Sequence, residues 1–370
     1  MIPLNSRLDG LRRSPIRLYT NLGKQTPGCV MLTLGEPDFE TPAPIREAAR
    51  AAMEAGHTHY APNQGLEALR RAIAEREGCQ AEEVLITIGA TGALYTALTG
   101  ILNPGEEVVV PTPAFNLYET IITAAGGRMV PLDMTKTGFR LTPEALNAAI
   151  TPKTKAIVLN SPNNPTGAVL SRESLAAVKA AVRGKPIFVI CDEVYRQLSY
   201  GDCPRLWGDP ELAGQLLLCQ SFSKPYAMTG WRVGYLAGPG EVMERLLLLH
   251  AAQAAAVPTF LQEACLAALE VDVAPMREIY RARRDYVRGR LDGMGLTYPA
   301  PMGAFYVFPG VSRFGLASGE LCGRMIREGG VAAVPGACFG GEGHIRLSYA
   351  CSMENLATAM DRMERFLAAL

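Results

Sequence analysis

A chain of 370 residues has room for two ordinary domains and a sizeable core, so it needs neither disulfides nor a structural metal to fold. Its 36 basic residues balance 36 acidic ones, which excludes a global field favouring nucleic acid or an anionic membrane and points to small molecules as partners. Nine cysteines show no CxxC pair and no metal-ligand spacing, and Cys191 and Cys219 sit in apolar runs, so a reducing compartment is expected.

The opening stretch MIPLNSRLDGLRRSPIRLY contains no apolar run of signal-peptide length, and later apolar windows are too short or too interrupted to span a bilayer. A cytoplasmic location is the expectation. Apolar runs of strand length follow at 84–88, 108–110, 129–132, 156–159, 187–191, 216–219 and 233–237. Most are continuous rather than alternating, as in strands buried on both faces. Helical patterns between them, such as TGALYTALTGIL and SRESLAAVKAAV, imply crossover connections and an α/β core with a largely parallel sheet. Thr142 with Pro143 and Glu144 marks one helix start, and Ser171 with Glu173 marks another. From about residue 241 the pattern is helical through VMERLLLLHAAQAAA, and Pro258 interrupts it. Further helices lead to the extended YPAPMGAFYVFPG, near which a second lobe begins.

The chemistry-bearing residues lie at the ends of these runs. In QSFSKPYAMTGWRVGY, Ser221 and Ser223 alternate on a segment leaving a strand, which can aim both hydroxyls at one anion, and Arg232 adds a forked donor. Lys224 lies between them. In TIGATGALYTAL a strand ends, Gly89 permits a tight turn and a helix begins near Ala90 and Thr91; its free amides suit a phosphate, although packing alone also explains the pattern. In FVICDEVY, Asp192 ends a buried strand where open α/β sheets bind ligands, or it caps the next helix. Tyr195 follows three residues later. LNSPNNPTGAVL places Asn163 and Asn164 in a polar turn that also reads as an ordinary Asn-Pro turn.

These motifs together, SFSKPYAMTGWRVGY, NSPNNPTG, CDEVY and IRLSYACS, closely resemble those of pyridoxal 5′-phosphate (PLP) aminotransferases of fold type I, class I. The likeness runs from LTLGEPDFETP to VPGACFGGEGHIRLSYA and so covers almost the whole chain. At subgroup level it is closest to the bacterial aminotransferase A group, associated with N-acetyl-LL-diaminopimelate. The resemblance implies a large domain with a mostly parallel seven-stranded sheet flanked by helices, plus a smaller α+β domain. It divides the chain into an N-terminal segment 1–43 belonging to the small domain, a PLP-binding domain 44–281 and a C-terminal domain 282–370.

By the same resemblance Lys224 forms a Schiff base with the cofactor aldehyde and later serves as the base. Asp192 faces the pyridine nitrogen, Tyr195 and Asn164 bond the ring oxygen, and Phe115 stacks on the ring. Ala90, Thr91, Ser221, Ser223 and Arg232 hold the phosphate. Tyr60 reaches the phosphate of a neighbouring subunit, which implies a homodimer with shared sites. Arg346 grips the substrate α-carboxylate, with Asn164 and the backbone at Gly35 assisting. Tyr306 lines the same lobe. The implied activity is ping-pong transfer of an amino group from an L-amino acid to a 2-oxo acid, of the N-acetyl-diaminopimelate, aspartate or aromatic type. A carbon–sulfur lyase of the same fold is the alternative, with a non-catalytic PLP-binding sensor behind it. Arg17 and Lys24 are candidates for the side-chain pocket.

Overall fold

The computed structural model describes residues 2, 4–11 and 15–370; of the N-terminal segment 1–43, residues 1, 3 and 12–14 lie outside it. All seven apolar runs form strands of one sheet: β1 (Val84–Thr87), β2 (Glu107–Thr112), β3 (Arg128–Asp133), β4 (Thr154–Asn160), β5 (Phe188–Asp192), β6 (Leu216–Ser221) and β7 (Gly234–Ala237). Their order is β1-β7-β6-β5-β4-β2-β3. Every pairing is parallel except the two made by β7, which runs against both β1 and β6. The expected mostly parallel, helix-flanked α/β fold is therefore observed.

Burial on both faces explains the continuous apolar runs. Ile157, Leu159, Val189, Cys191, Leu216 and Leu218 point into one apolar layer, while Ala156, Val158, Ile190, Leu217 and Cys219 point into the other. The predicted caps form: Thr142 accepts from the Ala145 amide and Ser171 from the Ser174 amide. Pro258 separates the helices Gly240–Ala254 and Thr259–Leu269.

A third apolar cluster joins Leu32 to Tyr280, Val287, Phe305, Val331 and Ile345, and so packs the N-terminal segment with the last part of the chain. Val30–Met31 pairs in parallel with Val331–Ala332. The helix Ala274–Gly293 runs unbroken through position 281/282, so one element is common to both lobes. Among the described residues no helix is long and apolar enough to cross a membrane.

Candidate active site

The carboxyl ends of β4, β5 and β6 lie side by side, with the turn after β1 beside them across β7. Ligands of open α/β sheets bind at such ends, because the strands stop there and the amino ends of the following helices begin. A cavity of about 320 Å³ opens at this edge, within the range usual for small-molecule sites. It brings together Gly35, Ala90, Thr91, Phe115 and Asn164 with Asp192, Tyr195, Ser221, Ser223, Lys224, Arg232 and Arg346. Tyr306 and Arg17 line it as well. Tyr60 lies elsewhere, 92 % exposed, against the segment Ala256–Phe260. Lys24 is on the surface, outside the cavity lining.

Strand alternation separates two adjacent acids at the end of β5. Asp192 turns to the cavity and accepts from the Tyr118 hydroxyl at 2.6 Å. Glu193 turns away and meets Arg205 at 2.7 Å, which in turn holds Glu77 at 2.9 Å. Burial lifts the Asp192 carboxyl to about 6, while the Tyr118 hydroxyl, the Val194 amide and the Lys224 charge pull it back down. Its backbone carbonyl accepts from Asn160 Nδ2 at 3.0 Å, and Asn160 Oδ1 accepts from the Asn164 amide at 2.8 Å. One asparagine thus fixes the end of β5 and the NNP turn together.

Lys224 follows β6 and is half-buried, because it faces the open cavity. Its Nζ donates to Gly35 O at 2.6 Å. Desolvation lowers this amine to about 8; the Arg232 and Arg346 charges act in the same sense, and Glu36 opposes them.

Arg346 is 2 % exposed. Its guanidinium lies between the rings of Tyr306, at 4.6 Å, and Phe339, at 4.9 Å. Nη1 donates to Asn164 Oδ1 at 2.9 Å and Nη2 to Thr33 O at 2.8 Å, while Nε has no partner. Among the described residues none of the cavity cations Arg17, Lys224, Arg232 and Arg346 has a carboxylate within 4.0 Å. A buried guanidinium without an anion is costly in a folded protein, and an incoming carboxylate removes that cost.

At the opposite donor group, Gly89 adopts φ +62°, and a Cβ there would lie 2.6 Å from Arg232 Nη2. Glycine therefore lets Arg232 lie against the first turn of the helix Gly89–Ile101, where the Ala90 and Thr91 amides begin. Ser223 N donates to Ser221 Oγ at 3.0 Å, which holds the two residues in one turn. Helix amides, two serines and a guanidinium form a donor set for a phosphate. Tyr195 and Tyr306 share a hydroxyl contact at 3.0 Å, and burial raises both above the usual phenol value, so both remain protonated. The donors, the lysine and the carboxylate in one cavity fit pyridoxal phosphate, which needs an amine, an acid for its ring nitrogen and an anion cradle.

Tyr118, Thr33 and Asn160 also belong to this site, and the motifs did not single them out. Tyr118 stands one helical turn after Phe115 in PTPAFNLY, a spacing that reads equally as core packing. Asn160 stands three residues before the NNP turn, which is its one signal. Thr33 contributes a backbone carbonyl, for which a sequence holds no signal.

The class I and II aminotransferase family model matches residues 27–363. A probable N-acetyl-LL-diaminopimelate aminotransferase of Bacillus subtilis is 39 % identical, over 98 % of this chain and 95 % of its own length. An aromatic-amino-acid aminotransferase 2 of Thermococcus litoralis is also 39 % identical, over 98 % of each chain. Among solved structures, aspartate aminotransferase from Thermus thermophilus with maleate superposes with a TM-score of 0.93 at 37 % identity, covering 99 % of this chain and 100 % of that one. The chain belongs to the class I and II aminotransferases. It is a PLP-dependent enzyme of amino-group transfer, and nothing in these relatives favours the carbon–sulfur lyase alternative.

Proposed function

We propose that Lys224, Asp192 and Arg346 carry this transfer, in two half-reactions between an L-amino acid and a 2-oxo acid. The observation that carries the reading is one cavity holding an amine lowered to about 8, a buried carboxylate and a buried guanidinium lacking an acidic partner. Bound pyridoxal phosphate supplies an aldehyde for amines and a ring that spreads the electron pair left when the substrate Cα loses its proton.

The residues divide the remaining tasks. Near pH 8 a large share of Lys224 is uncharged, so Nζ can tether the cofactor and, once released, take the proton from the substrate Cα. Asp192, held by Tyr118, would keep a proton on the ring nitrogen opposite it. The Asn164 Oδ1 is occupied by Arg346, which leaves the Nδ2 hydrogens for the ring oxygen alongside the Tyr195 hydroxyl. Phe115 would cover the ring face. Ala90, Thr91, Ser221, Ser223 and Arg232 would hold the phosphate, joined by Tyr60 from a second copy. Arg346 would orient the substrate through its α-carboxylate, with the unpartnered Nε available. In the cofactor-free protein Gly35 O accepts from Nζ.

The 92 % exposure of Tyr60, the residue that the resemblance sends to a neighbouring subunit, supports a homodimer. Packing of Leu32 with Val331 and Ile345 supports assigning segment 1–43 to the small domain beside 282–370, with 44–281 as the cofactor domain. We assign the enzyme to the cytoplasm and to amino-acid biosynthesis. Relatives named for N-acetyl-LL-diaminopimelate, aspartate and aromatic amino acids support donors of those classes. The test is a half-reaction screen of the cofactor-loaded protein, following the cofactor's absorbance change with acidic, aromatic and N-acetyl-LL-diaminopimelate donors. Conversion by at least one class is expected, and conversion by none overturns the reading.

A further inference from the structure

Among the described residues, five residues other than glycine have a positive φ, and two of them, Ala227 at +49° and Arg232 at +57°, fall in the segment 224–232. Residues with side chains rarely adopt this left-handed region, so such a loop keeps its shape only where its surroundings hold it. The shape matters, because the segment carries the amine of Lys224 at one end and the phosphate donor Arg232 at the other. Within it, Met228 N returns to Ser223 O at 3.0 Å and Arg232 Nη1 donates to Thr229 O at 2.9 Å. Neither bond reaches Ala227.

Thr41 does reach it. Its hydroxyl donates to Ala227 O at 2.7 Å and accepts from Trp231 Nε1 at 3.1 Å, so one oxygen spans both strained turns. A threonine just before a helix ordinarily caps it. Thr41 precedes the helix Ala43–Glu54, yet that helix starts on Pro42 with no side-chain cap, and the hydroxyl is directed to the lysine loop instead. Two neighbouring bonds extend the seam: Thr229 Oγ1 donates to Glu36 Oε2 at 3.0 Å, and Lys224 Nζ to Gly35 O at 2.6 Å. Glu36 is exposed and the Gly35 bond uses the reacting amine itself, so Thr41 supplies the half-buried link that does not depend on that amine being free. Thr41 does not line the cavity.

We propose that Thr41 is a positioning residue: its hydroxyl clamps the loop 224–232 and thereby fixes the Lys224 amine relative to the phosphate donor Arg232. The inference rests on the reading of Lys224 as the cofactor tether and of Arg232 as a phosphate donor. Thr41 touches neither substrate nor cofactor and acts through the Ala227 carbonyl and the Trp231 indole. Losing the hydroxyl leaves both groups without their partner and frees the loop to relax from its positive φ angles.

The test compares the wild type with Thr41→Val, which keeps the shape and removes the hydroxyl, and Thr41→Ser, which keeps the hydroxyl. In Thr41→Val, PLP affinity by cofactor titration is expected to fall about tenfold, the scale of one or two lost hydrogen bonds. The kcat of the donor half-reaction falls by a similar factor while donor KM stays within about twofold, because Arg346 is untouched. Thr41→Ser stays within about twofold of the wild type in both. Hydrogen exchange of the loaded protein gives a readout separate from activity: amides of 227–232 exchange about tenfold faster in Thr41→Val and at the wild-type rate in Thr41→Ser. Trp231→Phe removes one of the same bonds from the other side, so adding it to Thr41→Val lowers PLP affinity little further. Should Thr41→Val not fold, Trp231→Phe alone carries the exchange test, with faster exchange expected and an unchanged rate counting against the clamp. Affinity and exchange unchanged in Thr41→Val, or Thr41→Ser as impaired as Thr41→Val, overturn the proposal. If the wild type carries PLP on another lysine or transfers no amino group, the reading of the site is what fails, and exchange of 227–232 still judges whether Thr41 holds the loop.

Discussion

At the scale of single residues, the site depends on groups kept away from their ordinary ionisation. In the cofactor-free protein Lys224 lies at about 8 and Asp192 at about 6. If Nζ is the base once a donor has displaced it from the cofactor, kcat of the donor half-reaction rises with pH as this amine loses its proton, which pH profiles at saturating donor check. The same shifts act on the stability of the cofactor-free protein. The Lys224 amine titrates near 10.5 when unfolded and near 8 in the fold, so the unfolded chain binds more protons between these values and stability rises with pH there. Asp192 acts in the opposite sense: its carboxyl rises from 3.8 to about 6, so stability falls as pH climbs through that interval. Lys224→Met should therefore raise the Tm of cofactor-free protein at pH 7 by a few degrees while abolishing turnover. A lower Tm would count against a desolvated amine. Lys224, Asp192 and Arg346 were legible because their residue types stand in ordered motifs. Tyr118 was not, since a buried phenol on a helix looks the same whether it packs or holds a carboxylate.

At the scale of elements, most of the seven strands were legible from continuous apolar runs, because a strand covered on both faces has no polar side to show; the edge strand β3 is only partly buried. Their order, and the reversal of β7, were not legible, since pairing depends on which crossovers fit rather than on strand composition. The two-residue pairs of the small lobe, such as Val30–Met31, are too short to leave a pattern. The turn between β1 and its helix makes a direct prediction. Gly89→Ala strains a residue at φ +62° and pushes against Arg232 Nη2, a flexible group, so the fold should survive while PLP affinity falls at least about tenfold, as read by cofactor titration. Gly234 differs, because its Cβ would meet backbone: Gln220 O at 2.5 Å and Gly89 C at 2.7 Å. Gly234→Ala should therefore destabilise the sheet itself. Removing a cap is milder, and Ser171→Ala should cost about 1 kcal/mol in denaturant unfolding with PLP affinity intact.

At the scale of the whole molecule, the loop Gly35–Thr41 ties the lobes around the cavity. Asp38 holds Arg283 of the helix Ala274–Gly293 through two bonds of 2.7 and 2.9 Å, while Thr41 donates to Ala227 O at 2.7 Å, three residues past Lys224. The carbonyl that accepts from Lys224 sits in this loop, so separating the lobes would also disturb the amine. A shared dimer site predicts complementation. Mixed dimers of Lys224→Ala and Tyr60→Ala chains should regain activity that neither variant shows alone, and a mixture as inactive as its parents would argue against Tyr60 crossing between subunits. The balanced net charge said only that no strong field surrounds the molecule; the local excess of cations in the cavity appears when the chain folds, because Arg17, Lys224, Arg232 and Arg346 are far apart in sequence.

The most direct measurement is borohydride reduction of the PLP-loaded protein followed by peptide mass mapping. A single pyridoxyl group per chain, bonded to Lys224 and missing in Lys224→Ala, is the predicted result. A label on a different lysine, or none at all in a wild type that still transfers amino groups, would contradict the assignment of this amine.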